Sequence, residues 1–128
     1  MPKKYIFSNK ERLSSTKIIN SLFNTGNNSV LYPFKVYWME VDEIFKFPAR
    51  VLINVSRKKI SRSSKRNLLK RRIKEAYRLN KHILYKSLKS NNKSIILAYI
   101  YISPEIVKYI EIEKVLKGSF KLIINNLL

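Results

Sequence analysis

The chain has 128 residues, 45% of them hydrophobic, which is enough for one compact core and too few for two domains of ordinary size, so residues 1–128 read as a single domain. Its 27 Lys and Arg against 8 Asp and Glu leave a formal charge of +19, which repels itself unless a polyanion is at hand, while the globular apolar fraction argues against simple disorder. The absence of Cys excludes disulfide frameworks, thiolate zinc sites and cysteine nucleophiles, and one His (His82) with acids scattered from Glu11 to Glu113 leaves self-contained hydrolytic chemistry poorly equipped.

The opening residues Met1 to Phe7 turn polar by Ser8 and lack the apolar stretch of a signal peptide, and no later run approaches the roughly 18 residues of a membrane span, which points to a cytoplasmic protein. Leu13, Ile18, Ile19, Leu22 and Phe23 recur at helical spacing, so a first helix is expected from about 15 to 25, capped by Ser14 or Ser15 and stopped by Gly26 in a left-handed conformation. From Val30 to Val41 β-branched and aromatic residues dominate. Pro33 makes this a bent or two-part edge element, with Phe34, Val36 and Trp38 on one face and Lys35, Tyr37 and Met39 on the other.

A turn around Asp42 and Glu43, closed by Phe47 and Pro48, leads into a half-buried strand over residues 49–56, where Ala49, Val51, Ile53 and Val55 alternate with Arg50, Leu52, Asn54 and Ser56. After a basic loop, Ser64 can cap a helix running to about Tyr85, with a break near Asn80. Ile95 to Ile102 is an apolar run that suits a strand covered on both faces. Ile112, Val115, Leu116, Phe120, Ile123 and Leu127 then mark an amphipathic C-terminal helix. The expected order is one helix, two or three strands, a helix, a strand and a helix.

The charge is concentrated. Between Arg57 and Arg78 lie Arg57, Lys58, Lys59, Arg62, Lys65, Arg66, Lys70, Arg71, Arg72, Lys74 and Arg78 against the lone acid Glu75. Like charges at helical i,i+4 spacing destabilise an isolated helix, so this segment gives up local stability. On a helical wheel Leu69, Ile73, Ala76, Tyr77 and Asn80 form the core sector, while Asn67, Lys70, Arg71, Lys74 and Arg78 face away with Arg66 at the border. Such a stripe, anchored by its own apolar seam, suits phosphate backbones better than a mixed-sign solubilising surface does. Phe23 and Tyr37 are candidate stacking platforms, although each ring alone fits an ordinary core position; Tyr99, Tyr101 and His82 are read as structural.

From Lys65 to Arg78 the chain resembles the signature helix of the bacterial ribonuclease P protein component. That pattern is Arg-Asn-Arg, an aliphatic residue, Lys-Arg, a basic turn and Ala-aromatic. Arg66, Asn67, Leu69, Lys70, Arg71, Ile73, Lys74, Ala76 and Tyr77 match in register. The resemblance extends through Val55 to Ile60 and to Arg12, Leu13, Phe23 and Gly26.

It implies a two-layer α+β fold like that of the second domain of a small-subunit ribosomal protein. A four-stranded sheet packs with three helices in the order α-β-β-β-α-β-α, with a left-handed βαβ crossover against the usual handedness. It also implies the protein subunit of an endoribonuclease that removes the 5′ leader of precursor tRNA, the chemistry and most of the Mg²⁺ being held by the RNA subunit, in a 1:1 ribonucleoprotein with a monomeric protein. Lys58, Lys59, Arg62, Lys65, Arg66, Asn67, Lys70, Arg71, Lys74 and Arg78 would bind the catalytic RNA, and Ile19, Phe23, Tyr37 and Ser56 would line a cleft for the leader.

Two residues depart from the pattern. Leu68 replaces the second motif Arg, for which Arg72, Arg62 or Lys65 would compensate, and Ile19 stands where an aromatic is common. The competing reading is a non-enzymatic protein that binds structured RNA, such as a ribosome-associated one.

Overall fold

A computed structural model describes residues 7–127; the opening six, on which part of the signal-peptide reading falls, and Leu128 lie outside it. In chain order the elements are a short 3-10 turn (Asn9–Glu11), α1 (Thr16–Thr25), β1 (Asn27–Leu31), β2 (Phe34–Val41), β3 (Ala49–Val55), α2 (Ser63–Ser90), β4 (Ser94–Tyr101) and α3 (Tyr109–Leu127). The strands form one mixed sheet in the order β1-β2-β4-β3. β2 is antiparallel to both β1 and β4, and β3 runs parallel to β4, joined to it through α2.

Strand alternation sorts the core into two parts. Phe34, Val36 and Trp38, with Val51, Val55, Leu97, Tyr99 and Tyr101, face α2 and α3, where Leu69, Ile73, Tyr77, Leu116 and Phe120 meet them. The opposite face carries Tyr37, Met39, Leu52, Ile96, Ala98 and Ile100 and packs against Leu13, Ile18, Ile19 and Leu22 at and before α1. β4 is therefore covered on both sides, as its unbroken apolar run requires. Tyr77 is fully buried among Phe7, Tyr99 and Phe120, with ring centroids 5.5, 6.5 and 6.0 Å away, and Tyr99 reaches Ser119 Oγ at 2.6 Å.

Four local expectations are corrected. Gly26 is extended (φ −74, ψ 164), not left-handed, and β1 starts directly after it, with Ser15 rather than Ser14 accepting the Ile18 amide at the helix start. The segment around Pro33 is two strands joined by a turn at Tyr32-Pro33, and only β1 lies at the sheet edge, since β2 pairs on both sides.

α2 starts at Ser63 with Arg62 at the N-cap and no side-chain cap, so Ser64 is inside the helix. Nor does α2 break near Asn80; it runs on to Ser90. The Asn80 amide donates to Ala76 O (2.8 Å) and to Glu113 Oε2 on α3 (2.9 Å), so a residue that competes with helix in isolation is satisfied inside it.

A buried polar link that sequence reading missed ties the N-terminal segment to α2. Glu11 is fully buried, and its carboxylate accepts from Lys81 Nζ (2.6 Å), Tyr85 Oη (2.5 Å) and the Ser8 amide (3.0 Å). Burial, followed by the neighbouring Tyr77 and Glu11, pushes the Tyr85 hydroxyl far above its ordinary range, so it stays protonated and donates. Next to Glu11, Arg12 bridges to Val51, and the Leu13 amide donates to Val51 O at 2.9 Å, covering the exposed edge of β3.

Candidate RNA interface

α2 presents the basic stripe as its wheel predicts. Leu69, Ile73, Ala76, Tyr77 and Asn80 are buried, whereas Asn67 and Arg71 are exposed and Lys70, Lys74 and Arg78 are half-buried along the outer side. The helix begins with no acid in its first turn, so the positive end of its dipole adds to Arg62 and Lys65 and to Lys58 and Lys59 in the preceding turn. Among the described residues no acid pairs with Lys58, Lys59, Arg62, Lys65, Lys70, Arg71 or Lys74.

Three cations of the segment are otherwise engaged. Arg66 Nη1 donates to Ile60 O (3.0 Å) and Ser61 O (2.7 Å), bracing the loop before the helix. Arg72 Nη1 donates to Val107 O (2.9 Å), which ties α2 to the segment before α3 and makes it a poor substitute for the missing motif Arg. Arg78 pairs with Glu75 at 2.5 Å, and this hydrogen bond holds the Glu75 carboxyl below its ordinary range. Leu68 is half-buried on the outer side, beside Arg71, Arg72 and Glu75.

The aromatic candidates come together. α1 covers only part of its sheet face, and beside it Ile19, Phe23, Tyr37, Leu52, Asn54 and Ile100 line an open cleft of about 470 Å³. Phe23 and Tyr37 meet edge to face with centroids 4.9 Å apart, and Lys35 Nζ lies 5.2 Å from the Tyr37 ring centre. Phe23 is 39% exposed, so a ring face remains for a flat ligand.

Leu52, Asn54, Ile100 and Lys35 were missed. Alternation already put Leu52 and Asn54 opposite Val51 and Val55, but only the register that aligns Tyr37 with Ala98 and Leu52, and Lys35 with Ile100 and Asn54, brings them beside Tyr37. Ser56 is not among the cleft's lining; it follows β3, and its hydroxyl accepts from the Lys59 amide at 3.3 Å. β3 thus leads from the cleft straight into the basic loop. His82 is exposed on α2, outside the stripe.

Among the described residues, no three His, Cys, Asp or Glu side chains are grouped so as to hold a metal ion, and no helix is long and apolar enough to cross a membrane. The donor set of the chain therefore does not fit a Mg²⁺ site of its own.

Residues 7–119 match the family described as Ribonuclease P. The chain is 32% identical over 125 residues to the ribonuclease P protein component of Porphyromonas gingivalis, covering 98% of this chain and 91% of that one. Among solved structures it resembles the RNase P protein of Thermotoga maritima (TM-score 0.69, 23% identity, 88% of this chain and 96% of that one). It also resembles that of Staphylococcus aureus (TM-score 0.67, 22% identity, 88% and 94%). Basic helix, mixed sheet and full-length match agree, and the chain belongs to the ribonuclease P protein family.

Proposed function

We propose that this chain, as the protein component of ribonuclease P in tRNA 5′ processing, divides its two RNA contacts between two surfaces. The stripe of Lys70, Arg71 and Lys74, extended by Lys58, Lys59, Arg62, Lys65 and Asn67, binds the catalytic RNA; the cleft at Phe23 and Tyr37 holds the 5′ leader of precursor tRNA. Hydrolysis belongs to the RNA subunit, whose phosphate oxygens suit Mg²⁺, while the protein's cations lower the repulsion between two polyanions. The complex is one protein to one RNA in the cytoplasm.

The observation that carries this reading is the Phe23–Tyr37 pair at 4.9 Å in a half-open cleft whose strand runs into unpaired cations. Bases stack on such rings at about 1–3 kcal/mol each.

The test has two steps. Adding the chain to protein-free ribonuclease P RNA at low Mg²⁺ is expected to restore cleavage; RNA binding without rescue would favour a non-enzymatic structured-RNA-binding role. In the assembled enzyme, Tyr37→Ala, shown by circular dichroism to be folded, is expected to weaken binding of leader-bearing precursor by about 1–3 kcal/mol and to leave mature tRNA nearly unaffected. Equal losses for both would remove Tyr37 from the leader site.

A further inference from the structure

The cleft does not end at Leu52. Two residues back along β3, on the same face, Arg50 enters a second hollow of about 370 Å³, where Lys10, Arg12 and Ser14 face Phe45, Lys46 and Arg50. Four cations converge here. Among the described residues only Glu43 pairs with any of them, at 3.8 Å from Arg50, and that carboxylate is 72% exposed at the rim.

The mounting of these cations is rigid on both walls. Lys10 and Arg12 flank Glu11, which is locked by Lys81 and Tyr85, and Arg12 is further bridged to β3. The Arg50 guanidinium sits 3.8 Å from the centre of the Phe45 ring, which fixes its position. Cations held in place before a ligand arrives lose little side-chain freedom on binding, which distinguishes a built anion site from scattered surface lysines.

We propose that this pocket binds a backbone phosphate of the leader's distal nucleotides, beyond those that lie against Phe23 and Tyr37. The inference rests on the leader reading of the cleft. Because the Asn54 end adjoins the basic loop and stripe that take the catalytic RNA, the leader enters there and runs toward Arg50. Asn54 and Arg50 are four residues apart on one strand, roughly 13 Å, so a leader must extend a few nucleotides past the cleft entrance to reach the pocket. A phosphate of the catalytic RNA has the same chemistry, and leader length separates the two sources.

The experiment uses the assembled enzyme carrying Lys10→Gln and Lys46→Gln, two exposed side chains whose loss leaves the core and the Glu11 link untouched. Precursors with leaders of about three and about ten nucleotides are compared, with Tyr37→Ala in parallel. The expected result is weaker binding of the long-leader precursor, about five-fold per lost phosphate contact near physiological salt, with a shallower salt dependence and an unchanged short-leader affinity.

Equal loss at both lengths, or weaker assembly with the catalytic RNA, would assign the pocket to that RNA and overturn the proposal; no change at either length would mean that it holds no phosphate. Tyr37→Ala reports on the cleft separately. If it spares leader-bearing precursor, the cleft reading fails whatever the lysine variant does.

Discussion

At Gly26 the requirement is space. Its backbone is one any residue can adopt, but a Cβ there would lie 2.5 Å from Leu22 O, 2.8 Å from Leu22 Cδ1 and 3.2 Å from Trp38 O. Two of those atoms are backbone and cannot step aside, because α1 turns directly into β1 against β2. Gly26→Ala is therefore expected to destabilise the fold by about 1–3 kcal/mol, the range for overpacking, rather than stabilise it by stiffening the unfolded chain. Denaturant unfolding that showed equal or greater stability would refute the close-approach account. In the sequence Gly26 signals a helix stop correctly but for the wrong reason, since the Trp38 carbonyl that crowds it lies twelve residues on and only sheet pairing brings it near.

Polar residues inside an element are where local pattern is most misleading. Asn80 reads as a break within α2 because its acceptors on two helices cannot be seen from one, and Glu11 reads as a scattered acid because its partners are 70 and 74 residues away. The apolar seam of α2, by contrast, is legible in full, since 3.6-residue periodicity depends on the helix alone.

The Glu11–Lys81 link supplies a test of this difference. Lys81→Met is expected to cost about 3–5 kcal/mol by leaving a carboxylate buried without its cation, whereas Glu11→Leu combined with Lys81→Met should recover most of that loss. Urea unfolding of the two single variants and the double would show it; simply additive costs would mean that the two residues act separately.

The stripe on the outside of the same helix divides on similar grounds. Arg71 has no acid partner among the described residues, while Arg78 is held by Glu75. Arg71→Ala is expected to lower the steepness of the salt dependence of catalytic-RNA binding by about one unit, and Arg78→Ala by clearly less. Equal slopes for the two variants would show that Glu75 does not withhold Arg78 from RNA.

Over the whole molecule, the charge of +19 acts on folding and on binding with opposite signs. The cations spread from the pocket at Lys10 and Lys46, across the loop at Lys58 and Lys59, to Lys70, Arg71 and Lys74, and no described acid answers most of them. Folding draws these charges together around one core, so self-repulsion opposes the compact state and weakens as the Debye length shrinks from about 30 Å at 0.01 M salt to about 10 Å at 0.1 M.

RNA binding runs the other way. If roughly six or more of the unpaired cations meet phosphates, affinity falls about a thousandfold or more between about 50 and 200 mM salt as counterion release loses its advantage. Raising sodium chloride over that range is therefore expected to raise the thermal midpoint of the free protein while weakening its complex with the catalytic RNA. Scanning calorimetry and filter binding on the same preparation measure both. A midpoint that fell with salt would mean that the ion pairs of the fold, chiefly buried Glu11–Lys81, outweigh the repulsion. A salt-independent affinity would mean that the stripe does not bind by phosphate neutralisation.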